Sequence, residues 1–144
     1  MSIELKPAEL YRDNVIDLLT TEKLPTSDLP GMLNNFFVAV DNQTVTGVAG
    51  LEVYGNYGLL RSLAVNQSSR GRGIAADLLN KIESLAANKG LEAIYLLTET
   101  AKDYFERKGY EHIARMDIPD AVKASSEFTH VCPESATAMQ KSLN

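Results

Sequence analysis

A chain of 144 residues, 44% hydrophobic and 23% charged, carries enough apolar material for one domain spanning 1–144 and is too short for two. Its 19 acidic and 14 basic residues leave a net charge of −5, which argues against general nucleic-acid binding, where Lys and Arg neutralise phosphates. The single cysteine, Cys132, excludes an internal disulfide and a thiolate metal cluster, and the longest apolar runs (36–40 and 93–97) are far short of the roughly 20 residues a membrane-spanning helix needs. Residues 1–13 turn acidic at Glu4 and hold no apolar stretch, so no secretory leader is expected and the chain reads as cytoplasmic.

Residues 2–6 alternate weakly and predict a short first strand. Leu10, Val15, Ile16, Leu18 and Leu19 recur at helical spacing, and Pro25 and Pro30 make 20–31 a loop. The apolar run 36–40, the turn formers Asp41, Asn42 and Gln43, and the β-branched stretch 44–54 predict a hairpin. A second turn over 55–58 leads into a strand over 59–65, which completes an antiparallel meander. The period then changes. Ile74, Leu78, Ile82 and Leu85 form one helical stripe that Gly90 ends. A buried strand over 93–98, a helix over 101–108 stopped by Gly109, a strand over 110–116, a helical turn or two over 119–124 and a last strand over 136–143 follow. A meander followed by strand, helix and strand predicts an α+β fold with a mixed sheet.

The stretch from Val65 to Ala76 is the most informative. A strand ends, a polar loop turns, and an amphipathic helix opens behind Gly71 and Gly73. Helix N-termini expose unpaired N–H groups and a partial positive charge. Glycines admit a ligand close to those amides, and Arg70 and Arg72 add charge, so the loop predicts a phosphate or pyrophosphate site. Two other readings stand beside it. One is a glycine-rich turn with solvated arginines. The other is a dinucleotide site, because Gly71, Gly73 and Ala76 satisfy G-x-G-x-x-A. That fingerprint wants its first glycine directly after the strand, and here five polar or charged residues separate Val65 from Gly71. No Lys-Ser or Lys-Thr follows the glycines, which excludes a P-loop.

Leu63, Ala64 and Val65, followed by Arg70, Gly71, Arg72, Gly73, Ile74, Ala75 and a Leu-rich helix, resemble the signature of the GNAT N-acetyltransferases. That signature, Gln/Arg-x-x-Gly-x-Gly/Ala, is met by Arg70, Gly73 and Ala75. The resemblance implies a mixed, mostly antiparallel sheet with helices on both faces and a splay between the fourth and fifth strands. It also implies acetyl-CoA as cosubstrate, with no metal. Backbone amides of Arg70, Gly71, Arg72, Gly73, Ile74, Ala75 and Ala76 would hold the pyrophosphate. Leu63, Ala64 and Val65 would pair the pantetheine arm through main-chain bonds, and the Val65 amide would face the developing oxyanion. The implied reaction moves an acetyl group directly to a small, amino-acid-like amine in a ternary complex. A non-catalytic acyl-CoA-binding module is the alternative. Small-molecule amines are the expected partners, with neither nucleic acid nor membrane, and a homodimer stays open.

The catalytic pattern of the family is met incompletely. Many relatives carry a tyrosine four residues before the glycine that ends the fourth helix. Counting back from Gly109 gives Phe105, with Tyr104 one place earlier and about 100° round the helix. Phe105 is expected to pack against the cofactor. A thiol with a pKa of about 8.5 leaves acceptably without an acid. Glu52 is the candidate base, set against a plain solvent-facing strand residue. His112 and His130 read as surface residues and Cys132 as a small buried side chain. Arg61 and Ser62 are expected at the substrate, Arg61 meeting either a protein carboxylate or one carried by the substrate. A narrower similarity, to acetyltransferases associated with arsenic-resistance loci, runs over about the last ninety residues. It is carried by Leu59 to Val65, Tyr95 to Thr98, Glu127, Phe128, Cys132, Pro133, Ser135, Ala136 and Met139.

Overall fold

The predicted hairpin forms around a two-residue turn. β1 (Ile3–Pro7), β2 (Phe36–Asp41) and β3 (Thr44–Tyr54) pair antiparallel, with Phe36 opposite Gly50 and Asp41 opposite Thr44. Asn42 and Gln43 both take positive φ (52° and 73°), the turn geometry that matches the twist of antiparallel strands. β4 (Tyr57–Val65) begins two residues earlier than predicted, because only Gly55 and Asn56 make the second turn. The computed structural model describes residues 3–24, 26–27, 29–125 and 136–143. Its remaining main elements are α1 (Arg12–Thr21), α2 (Ile74–Asn88), β5 (Ala93–Thr98), α3 (Lys102–Arg107), β6 (Glu111–His112), α4 (Asp120–Lys123) and β7 (Thr137–Ser142). The strands follow the order β1-β2-β3-β4-β5-β7-β6 in a mixed, mostly antiparallel sheet with β4 and β5 as parallel neighbours.

The chain divides into two compact units, 1–51 with 61–85, and 52–60 with 86–144. In the first, Val15 and Leu19 of α1 pack with Phe36, Val38 and Val48 of the hairpin. Burying each such side chain contributes roughly 1.5–3 kcal/mol. Leu10 departs from its predicted place. It is 93% exposed, because the chain from Ala8 to Tyr11 is a 3-10 turn, whose three-residue period rotates Leu10 off the apolar face. The stripe of α2 forms with Ile74, Leu78 and Ile82 buried, while its predicted last member, Leu85, is half-buried and Ala86 is the buried residue in that turn. Gly47 of β3 lets that helix come down on the sheet, since a Cβ there would stand 3.0 Å from both Ile74 and Leu78.

In the second unit, β5 pairs with β4 only over Tyr57↔Ala93, Gly58↔Ile94 and Leu59↔Tyr95, although both strands run on. The pairing thus lapses between the fourth and fifth strands, as the family resemblance implies. On its other edge β5 pairs with β7 from Ala93↔Ser142 to Thr98↔Thr137. The strand predicted over 110–116 shrinks to β6, because only Glu111 and His112 find partners on β7 before a 3-10 turn at Arg115–Asp117. Leu59, Tyr95, Ile118 and Val122 pack with Ala138 as this unit's apolar cluster. Burial pushes the Tyr95 phenol above its usual pKa, helped by neighbouring Tyr57 and Glu92. Among the described residues no helix is long and apolar enough to cross a membrane.

Candidate functional site

β4 stops at Val65 because Asn66 turns the chain. Its side chain accepts hydrogen bonds from the Ser68 amide and the Ser68 hydroxyl, both at 3.1 Å, an arrangement that stabilises tight turns. The Asn66 N–H donates to Thr46 O at 2.7 Å, which ties the loop to β3. A single 3-10 turn, Gln67–Ser69, carries the chain onward over a buried Ser69. Gly71 and Gly73 then adopt φ of +84° and +79°. A Cβ at either would meet nothing within 4 Å, so left-handed conformation, not crowding, calls for glycine here. The result is bare, exposed backbone at the mouth of α2.

The first amide to reach back a full turn in α2 is that of Asp77, which donates to Gly73 O at 3.0 Å. The amides of Ile74, Ala75 and Ala76 precede it and have no partner within the helix. Loop and helix therefore bring Gly71, Gly73, Ile74, Ala75 and Ala76 together as a run of backbone suited to an anion. The arginine heads are placed differently from the expectation. Nε of Arg70 donates to Val65 O at 3.2 Å, while its other arm forms an ion pair with Glu22 at the end of α1. Arg72 stands 3.8 Å from the Asp41 carboxylate at the end of β2. Neither head is simply solvated. Glu22 and Asp41 carried no sequence signal as site residues; Glu22 is 48 residues from Arg70.

Upstream on β4, Leu63 is half-buried and Ala64 and Val65 are buried. Ser62 takes φ +61° inside the strand, a left-handed conformation that costs about 1–3 kcal/mol for a residue other than glycine. Ahead of it the strand is buried continuously from Gly58 to Arg61. Arg61 is 3% exposed, donates from Nε to Ser62 Oγ at 3.1 Å, and lies 6.0 Å from the centre of the Phe36 ring. Residues 61–65 belong to the first unit.

Glu52 and Phe105 belong to the second. Glu52 is half-buried and accepts a hydrogen bond from the Tyr54 hydroxyl at 2.7 Å. Phe105 is buried, edge-on to Tyr104 at 5.4 Å and to Tyr110 at 5.5 Å. Tyr104 is half-buried beside it, with the Lys108 ammonium 5.6 Å above its ring. His112 is exposed and 3.8 Å from Glu106, as a surface histidine should be. His130 and Cys132, with Glu127, Phe128, Pro133 and Ser135, lie outside the described residues.

Comparison with known proteins agrees with this geometry. The model of the acetyltransferase (GNAT) domain matches residues 33–112, which are 80 of the 144. An uncharacterised N-acetyltransferase of Chlorobaculum tepidum is 30% identical over 91 residues, covering 62% of this chain and 58% of that protein. Among solved structures, a GNAT-family acetyltransferase from Staphylococcus aureus superposes with a TM-score of 0.80 at 21% identity, covering 99% of this chain and all of that one. The N-acetylglutamate synthase of Neisseria gonorrhoeae, complexed with coenzyme A and N-acetyl-glutamate, superposes with a TM-score of 0.81 at 14% identity. It covers the whole of this chain, which in turn spans 36% of the synthase. The signature loop, the strand order and a family match over more than half the sequence converge: this chain belongs to the GNAT acetyltransferase family.

Proposed function

We propose that the chain is an acetyl-CoA-dependent N-acetyltransferase that moves an acetyl group directly to the amine of a small, amino-acid-like substrate within a ternary complex. The observation that carries this reading is the loop of residues 66–73, whose two left-handed glycines bare the backbone ahead of the unpaired amides of α2. Amides from Arg70 to Ala76 hold the pyrophosphate, and Leu63, Ala64 and Val65 offer main-chain groups to the pantetheine arm. The Val65 amide faces the oxyanion that forms as the amine nitrogen attacks the thioester carbon. The thiolate then leaves and the amine proton is taken up, with Glu52 as the candidate acceptor and Phe105 packing near the cofactor. Arg61 and Ser62 serve the acceptor, and the planar fork of Arg61 suits a carboxylate. An amino-acid-like acceptor also fits the N-acetyl-glutamate held by the Neisseria synthase.

The experiment is a screen for free thiol released from acetyl-CoA. Amino acids, their decarboxylated counterparts and amino-acid-like antimetabolites are supplied in turn. Release only when an amine is present supports the enzyme. Arg61→Lys should then lower catalytic efficiency with the amino acid more than with its decarboxylated counterpart. Phe105 standing where relatives carry tyrosine favours a second reading, a non-catalytic acyl-CoA-binding module. Tight binding of acetyl-CoA with no amine-dependent thiol release would select it.

A further inference from the structure

The arginine that opens the signature is turned toward the protein. Nε of Arg70 meets Val65 O and closes the base of the loop, while its far arm is held by Glu22. The Glu22 carboxylate side is only 15% exposed against 54% for the arginine, so the carboxylate is the anchor and the guanidinium the part that is held. That anchor is itself fixed. Glu22 closes α1, its N–H donating to Leu18 O at 3.0 Å, and Val15, Leu18 and Leu19 seat the helix in the core.

We propose that Glu22 is a positioning residue for the anion loop, holding Arg70 against the Val65 carbonyl so that Arg70 serves the ligand through its backbone and not through its charge. This rests on the acetyl-CoA reading above. Simple electrostatics predicts the opposite sign for the same residue. A carboxylate beside an anion site repels the ligand and neutralises the arginine, so removing it should tighten binding. If Glu22 positions the loop, removing it loosens the loop and weakens binding. Arginine suits the task because its planar fork presents donors on two edges at once, whereas a lysine ammonium cannot span both partners in the same way.

The test uses Glu22→Gln, which keeps the shape and removes the charge, with Arg70→Lys and Glu22→Asp beside it. The Gln and Lys variants should bind acetyl-CoA about three- to tenfold more weakly, toward the low end of the coupling found between residues in one network. In Glu22→Gln, KM for acetyl-CoA should rise by that factor while kcat at saturation and KM for the amine stay within about twofold. The Asp variant should recover part of the loss. Hydrogen exchange of the amides over 67–71 should accelerate in Glu22→Gln, a readout independent of any ligand. Equal or tighter acetyl-CoA binding by Glu22→Gln, with unchanged exchange over 67–71, would overturn the positioning role while leaving the function intact. Wild-type protein that fails to bind acetyl-CoA would overturn the functional reading, and the exchange rates alone would then decide for or against Glu22 as the anchor.

Discussion

Gly73 shows how one residue can be required for two separable reasons. Its φ of +79° strains any residue with a Cβ, and the space beside it is open, the side on which the proposed pyrophosphate would lie. Gly73→Val combines both faults, because a β-branched residue tolerates the left-handed region poorly. Gly73→Asn separates them, since asparagine enters that region more readily. Gly73→Asn should keep its stability within about 1 kcal/mol of wild type yet lose acetyl-CoA affinity by about 10- to 100-fold, as charge-assisted hydrogen bonds run to about 1.5–3 kcal/mol each. Thermal unfolding and calorimetry with acetyl-CoA check the two halves. Affinity unchanged in the Asn variant would remove the pyrophosphate from this loop. At this scale the loop was legible because its signals are local: two glycines, a polar turn and a helix start in a dozen residues. Glu22 and Asp41 were not, because contacts between residues so far apart in the chain leave no periodicity to read. Nor did anything in the sequence mark Ser62, a residue type with no strong preference for positive φ.

Elements matter to the site chiefly through how α2 is seated. Its first buried residue, Ile74, lies on Gly47, and so does Leu78 one turn later. A valine at 47 would force two side chains and the nearby Ala64 carbonyl, 3.3 Å away, to give way. Gly47→Val should therefore cost about 1–3 kcal/mol of stability, the usual penalty for overpacking. It should also weaken acetyl-CoA binding, because the displaced turn of helix carries the amides of Ile74 to Ala76. Denaturant unfolding and calorimetry measure the pair, and a stability loss without any affinity loss would show that the mouth of α2 does not depend on its seat. The apolar stripe of α2 was readable because its period survives over many residues, and β2 and β3 were readable from an apolar run, turn formers and a β-branched stretch in sequence, buried almost continuously in the fold. The ends were not. β6 stopped at two residues because pairing with β7 ran out, and Leu10 left its helix because a 3-10 turn replaced the α-helical period.

At the scale of the whole molecule, the family match runs over 33–112 and so takes in residues of both compact units. The chain carries five more acidic than basic residues, and its proposed ligand is polyanionic. The two arginines nearest the anion loop are each set against a carboxylate, Arg70 on Glu22 and Arg72 by Asp41. On the proposed reading, backbone amides and the start of α2 hold the phosphates, and those dipoles act only at short range. Proteins that hold phosphates by free Lys and Arg lose affinity steeply as salt rises. Here added salt should act on two opposing terms, weakening local attraction while screening the repulsion between a net-negative protein and its ligand. The Debye length is already about 10 Å at 0.1 M, so the distant repulsion is relieved early. Acetyl-CoA affinity should change by less than about threefold between roughly 50 and 300 mM sodium chloride. Calorimetric titrations across that range provide the measurement. A loss of tenfold or more would mean that the arginines leave Glu22 and Asp41 and hold the phosphates by charge.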